Sequence, residues 1–410
     1  MMKAKNIIIG FCLLVSGFFV FAKGVIPGWQ EGRSDFSNYY ASAVLITEGE
    51  SISKFYNNDW FSNKSKKIGL KDGAKFAPFP PATAFLYLPL TMFDALMAKR
   101  VWLICNLLIL VLLVFELKKI GTLNWFEILF ALSLFSIPIA SNIKLGQSYL
   151  LFTFFITKFL VSNKKDDRLM SSSLLGMAAS IKYFPVIYLA YEFPKFKKIS
   201  LIGFSAGVGL LLFLPILFFG LEPYHVFLTD FWNHLNGNLS GQGQFAISFQ
   251  SIDVLLANLF IYNAEQNPTV LIDLPILKTI LKLLFALAIV WFSYQAIKDG
   301  ITKTKDLSIG IAIIGASLLI PASATYHLLF LVPAVILIIN WLIVNERSTF
   351  FKALVVGLIF LICNFMAHYI PDFTSVPNLN VILHFPRLYD LLGLFVLLII
   401  LQRRYLHQNV

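Results

Sequence analysis

Apolar runs recur along almost the whole chain, and no soluble fold can bury that many. They cover residues 7–22, 101–115, 125–140, 149–161, 170–193, 201–220, 276–297, 307–320, 328–344, 353–370 and 389–401. Of the 410 residues 58% are hydrophobic and 13% charged. A soluble domain carries about 45–50% apolar and about 25% charged residues. At about 20 residues per spanning helix, there is apolar length for roughly a dozen helices. These figures exclude a soluble enzyme, a disordered chain and a secreted disulfide scaffold. They predict an all-α, multi-pass membrane protein of about 12 helices in one domain, residues 1–410.

Charge orients the predicted helices. Lys and Arg number 33 against 22 Asp and Glu, a net charge of +11. In a soluble protein that excess would suggest nucleic-acid binding. Here the cations follow apolar runs in pairs and triplets (Lys118 and Lys119; Lys164, Lys165 and Arg168; Lys195, Lys197 and Lys198; Arg403 and Arg404). That pattern marks cytoplasmic loops, so no nucleic-acid partner is expected. Met1 to Lys5 is a short basic start with no clear cleavage site after the first apolar run, which predicts an uncleaved helix. Both termini are then cytoplasmic. Residues 23–75 form a long first outer segment, and residues 221–275 lie outside or re-enter. Residues 81–97 are read as an interfacial helix. Residues 170–193 carry basic residues at both ends, so they are read as a short re-entrant pair bending near Lys182 and Pro185. The outer loops 23–97 and 221–275 would roof the site. Cys12, Cys105 and Cys363 sit in apolar runs without metal-ligand spacing and read as buried thiols.

Polar residues near membrane depth are costly and mark function. They collect on the predicted outer side. Asp35 follows the first helix, where a carboxylate can act as a general base or simply cap the helix starting at Phe36. Three prolines stiffen residues 76–82. Lys144 and Gln147 lie in a polar turn, which is either plainly solvated or lets Lys144 meet an anionic head group. Lys182 lies inside an apolar stretch and needs an anion, an aqueous cavity, deprotonation or a snorkelled path to the surface. A loop rich in glycine and amides runs from Trp232 through Gly237, Gly241 and Gly243 to Gln250 and Ser251. His327 starts a helix and is either structural or a donor to a phosphate or leaving group. Arg387 follows Pro386 and is a second phosphate candidate, with His384 nearby. Nucleotide-binding, zinc-protease and serine-hydrolase motifs are absent from the sequence.

The order of these pieces resembles glycosyltransferase family 87, the membrane mannosyltransferases of GT-C type that use polyprenyl-phosphate mannose. The resemblance rests on Asp35 with Tyr39, Tyr40, Ala41, Glu48 and Gly49. It continues through Phe79-Pro80-Pro81-Ala82 to Pro89-Leu90, with Phe where Tyr is usual. Leu145-Gly146-Gln147-Ser148 follows, with Ser for Asn, then Ala178 to Pro185 around Lys182. Phe249-Gln250-Ser251, with Phe for Asn, and Ala324-Thr325-Tyr326-His327 complete it. The resemblance implies an inverting hexosyltransferase, mannose being the family's sugar, in the bacterial cytoplasmic membrane with its site on the outer face. The donor would be a polyprenyl-phosphate sugar, the acceptor a glycolipid or glycan, and the surroundings membrane lipid. Asp35 would be the base. His327 would join it in catalysis, and Lys182, Gln147, Lys144, Gln250, Tyr326 and Arg387 would bind donor phosphate or sugar. No cofactor and no obligatory metal are expected, because such a donor has no diphosphate to clamp. The competing reading is a flippase or transporter of a lipid-linked sugar, which predicts a pseudo-symmetry between halves that the sequence does not show.

Overall fold

A computed structural model describes residues 2–32, 34–70, 73–76, 78–182, 184–191, 197–235, 243–300, 303–365 and 377–408. Among them all regular structure is helical, with no strand. Five helices are long and apolar enough to cross a membrane: Ile9–Gln30, Ala95–Leu117, Lys198–Phe219, Pro275–Lys298 and Thr325–Asn345. The chain is thus a polytopic helical membrane protein. It divides into two compact units, Met1–Gly241 and Gln242–Val410.

The first unit opens with α1 (Met2–Val20), a π-turn (Phe21–Val25) and α2 (Ile26–Gln30) in one unbroken run. The apolar run ends at Ala22, yet the helix continues to Gln30. Pro27 lacks an N–H and its ring would press on the carbonyl four residues back, and the π-turn ahead of it widens the helix there. The 22 residues of Ile9–Gln30 span about 33 Å. Helices α3 (Phe36–Thr47), α4 (Asn58–Lys67) and α5 (Ala82–Leu86) follow, with 3-10 turns at Ile52–Tyr56 and Leu88–Met92. They enclose an aromatic core of Phe36, Tyr39, Phe55, Phe61, Phe76, Phe79 and Tyr87. The pieces between 82 and 92 are too short to span and lead into α6 (Ala95–Leu117). Asp94 caps α6, its Oδ1 accepting from the amides of Leu96 and Met97 at 3.0 Å each.

The apolar run 125–140 is expected to cross in one piece. It instead forms α7 (Trp125–Ser133) and α8 (Ser136–Leu145), bent by 67°. Pro138 explains the break. It is tolerated in the first turn of α8 but would remove a bond and clash inside a continuous helix. Next come α9 (Tyr149–Lys164) and α10 (Arg168–Ile181), then α11 (Lys198–Phe219) and α12 (Glu222–Leu235). Helix α10 stops where the sequence places the bend: Lys182 is extended, with φ −145° and ψ 132°. A 3-10 stretch, Phe184–Tyr191, follows it, and residues 192–196 of the expected return limb lie outside the described residues. Glycines let α10 and α11 meet backbone to backbone, Gly176 against Phe204 and Gly207 against Ser173.

The second unit contains α13 (Ile252–Phe260), α14 (Pro275–Lys298), α15 (Lys305–Leu318), α16 (Val332–Asn345), α17 (Thr349–Asn364), α18 (Pro377–Leu383) and α19 (Pro386–Gln408). A 3-10 turn, Thr325–Leu331, leads into α16. Helix α13 is too short to span and is buried from Asp253 to Phe260. Buried polar groups tie these helices together. Asp253 of α13 pairs with Lys282 at 2.7 Å and Lys278 at 3.4 Å on α14. Gln402 of α19 donates to the Ala296 carbonyl and to Ser308 Oγ at 2.7 and 2.8 Å.

One close approach fixes where the first span delivers the chain. Gly24 and Gly28, four apart, lie against α8. A Cβ on Gly24 would come within 2.9 Å of the Ala140 Cα, and one on Gly28 within 3.1 Å of the Ile143 carbonyl oxygen. Backbone cannot yield as a side chain can, so overpacking here costs about 1–3 kcal/mol. Gly24→Ala is expected to lower the thermal midpoint of the purified protein. Gly17→Ala, where a Cβ would meet nothing within 4 Å, should leave it unchanged or raise it.

Candidate active site

Asp35 occupies the capping position of α3, yet it does not cap. Its backbone is already helical, with φ −59° and ψ −20°, and its side chain makes no capping bond. Instead Oδ2 accepts from the Gln147 side-chain amide at 2.7 Å. Of the two roles the sequence leaves open, the structural one is not taken. The carboxylate is half-buried and aimed across the fold.

Gln147 is itself held from several sides. Tyr39 donates its hydroxyl to Gln147 Oε1 at 2.5 Å. The Gln147 amide donates to the Asn142 carbonyl at 2.9 Å. Asn142 Oδ1 accepts from the Tyr149 amide at 3.0 Å, and its Nδ2 donates to Asn106 at 2.9 Å. Trp102 donates to the Gly146 carbonyl at 3.0 Å. The turn between α8 and α9 is therefore a fixed block. Gly146 makes it possible, since its φ is +67° and a Cβ would meet the Phe36 side chain at 2.7 Å.

Lys182 is 6% exposed. Its Nζ lies 3.9 Å from the Phe79 ring centre and 5.4 Å from that of Tyr149. Phe79 stacks on Tyr39, which stacks on Tyr87, at 5.0 and 4.7 Å. The ammonium is turned inward onto ring faces, which favour a cation, and does not snorkel out. Among the described residues it makes no ion pair. Thr83 fixes the end of α10 by donating to the Ile181 carbonyl at 2.7 Å. Lys144 differs. It stands 3.9 Å from Glu31 with both side chains about half exposed, a pairing of little energetic weight. Lys99 escapes the sequence reading because the apolar run starts at Val101. It is 1% exposed, and its Nζ donates to the Glu31 carbonyl at 2.6 Å. The available signal is the acidic cap Asp94 ahead of it, which moves the helix start forward and places Lys99 in the second turn.

The second unit holds the other candidates. The Gln250 side chain is fully engaged. Its Nε2 donates to the Ile247 and His384 carbonyls at 2.7 Å each, and its Oε1 accepts from the Arg387 amide at 3.3 Å. Arg387 is 2% exposed. Its Nη2 donates to Thr325 Oγ1 at 3.0 Å and to the Phe365 carbonyl at 2.9 Å. Its Nε and Nη1 are buried without a partner among the described residues, a costly state for a guanidinium. His327 Nδ1 accepts from the Ala324 amide at 3.2 Å, which leaves the proton of a neutral ring on Nε2. The Tyr326 ring meets His327 edge-on at 4.9 Å. Gly237 and Gly241 of the amide-rich loop lie outside the described residues. Among the described residues no three His, Cys, Asp or Glu gather as metal ligands would.

The model of glycosyltransferase family 87 matches residues 76–321 of this chain. The chain belongs to that family. No curated protein and no solved structure matches it. As a family-87 glycosyltransferase, it carries Lys144, Gln147, Lys182 and Gln250 inside the matched stretch, and Asp35, Tyr326, His327 and Arg387 outside it. In this glycosyltransferase Asp35 and Gln147 are bonded in the first unit, which also holds Lys182 against Phe79 and Tyr149, while Gln250 and Arg387 are joined in the second.

The turn can be tested against a control. A side chain at Gly146 pays a left-handed penalty of about 1–2 kcal/mol and strikes Phe36 besides. Gly146→Ala is expected to cut sugar transfer more than about tenfold, because Gln147 shifts away from Asp35. Gly49 also has a positive φ, +80°, but open space around it. Gly49→Ala should lower the thermal midpoint and leave the specific activity intact.

Proposed function

We propose that this glycosyltransferase moves a hexose, most simply mannose, from a polyprenyl-phosphate sugar to a glycolipid or glycan acceptor. On this reading it is a GT-C type enzyme working at the outer face of a bacterial cytoplasmic membrane, with both termini inside. The observation that carries the reading is the Asp35 carboxylate, which caps nothing and is held by one oxygen on Gln147. That arrangement suits a general base more than a structural residue.

The proposed step is a single displacement. Asp35 takes the proton of an acceptor hydroxyl. The acceptor oxygen forms its bond to the anomeric carbon as the bond from that carbon to the phosphate oxygen breaks. Polyprenyl phosphate leaves with the electron pair, and the anomeric configuration inverts. Gln147 sets the carboxylate's orientation. Lys182, ringed by aromatic faces, supplies a cation for the phosphate charge, and fixed charges in a dry setting stabilise such developing anions strongly. In the second unit taken by itself, Arg387, with two nitrogens unpartnered among the described residues, and His327, through Nε2, are the candidates for an anion. Gln250 serves through Arg387, whose amide it accepts. Lys144 and Tyr326 are assigned to contacts with the donor. A lipid phosphate needs no metal clamp, so the proposal includes neither an obligatory ion nor a cofactor.

The test uses purified protein and a radiolabelled polyprenyl-phosphate hexose. Asp35→Asn should reduce transfer about 10²-fold or more at an unchanged thermal midpoint, since no helix cap is lost. Normal turnover by that variant would remove Asp35 from the role of base. Movement of the donor across liposomes without a new glycosidic bond would instead support a transporter.

A further inference from the structure

The carbonyls at the end of α2 have no partner within the helix. Two consecutive cations of α6 supply one each. Lys99 Nζ donates to the Glu31 carbonyl at 2.6 Å, and Arg100 Nε donates to the Trp29 carbonyl at 3.1 Å. Arg100 also lies over the Trp29 ring at 5.0 Å. The two grips differ in setting. Arg100 is on the surface side of its contact, while Lys99 is buried to 1% exposure. A buried ammonium spent on one neutral carbonyl is a poor bargain for stability alone.

Glu31 is also where the chain leaves the helix, with φ −84° and ψ 118°. Four residues later comes Asp35, and Phe36 after it is locked at 1% exposure. The short link carrying Asp35 is therefore pinned at both ends, by Lys99 before it and by Phe36 behind it. We propose that Lys99 is a positioning residue for Asp35: it anchors the Glu31 carbonyl, four residues before the carboxylate, and so fixes where the link to α3 begins. This rests on the reading of Asp35 as the base. Lys99 acts through Asp35 and touches no substrate.

The experiment measures kcat and KM for a polyprenyl-phosphate hexose with the full-length protein. Lys99→Met is expected to lower kcat about ten- to a hundredfold with KM changed less than about twofold. Lys99→Arg, which keeps a charged donor, should recover most of the loss. Adding Lys99→Met to Asp35→Asn should cost nothing more, because groups that act as one unit are not additive. Arg100→Met, which frees only the Trp29 carbonyl, should keep kcat. Should Lys99→Met fail to fold, Lys99→Gln takes its place with the same expected split. The proposal is overturned by an unchanged kcat, by an effect confined to KM, by no rescue in a folded Lys99→Arg, or by a further loss in the double variant. An active Asp35→Asn would show instead that the base assignment had failed.

Discussion

The hydrogen bond from Gln147 to Asp35 joins positions 112 residues apart, and the arrangement of the first unit serves it. It takes a carboxylate at the entrance of α3 and turns it away from the helix it would ordinarily cap. A missing cap costs about 1 kcal/mol. The core that holds α3 makes that loss bearable, since Phe36, Tyr39, Ala41, Ala43 and Leu45 are all buried. Departures from local preference of this kind concentrate at functional sites. Three features have to agree for the bond to form. The first span must end at the right place, which Gly24 and Gly28 set against α8. The turn after α8 must reverse tightly, which Gly146 allows. Gln147 must be unable to rotate, which Tyr39 and Asn142 ensure.

The electrostatics follow the same economy. Lys182 and Lys99 are both buried in the first unit, and neither makes an ion pair with a carboxylate among the described residues. Lys182 rests on the faces of Phe79 and Tyr149, and Lys99 on a peptide carbonyl. Contacts of that kind hold a cation in place without neutralising it. On the proposed function, cations held in this way would be open to the charge of a donor phosphate. By contrast, Asp253 with Lys278 and Lys282, and Glu116 with Lys158 at 3.0 Å, are paired groups that join helices.

Much of this was legible in the residues. The apolar runs dictated a helical membrane protein, and the ordered motifs carried the family. Asp35, Gln147 and Lys182 stood out because polar groups at that depth are costly. The break at Lys182 followed from basic residues at both ends of one apolar run. Other features depended on contacts that no local pattern encodes. The first helix outran its apolar run because a π-turn accommodates Pro27. The run 125–140 broke at Pro138, although its hydropathy is continuous. That Asp35 leaves α3 uncapped turned on its helical backbone and on a partner 112 residues away. Gln250 read as a sugar contact, but its amide is consumed by two carbonyls and the Arg387 amide. Lys99 was hidden because its importance comes from the Glu31 carbonyl, which has no sequence signature.

The central claim is that Asp35 works as a base in one direct displacement. The anomeric configuration of the product tests it most directly, read by NMR after transfer from a polyprenyl-phosphate hexose of defined anomer. Inversion is the predicted result. Retention would require a covalent or two-step path and would contradict the account.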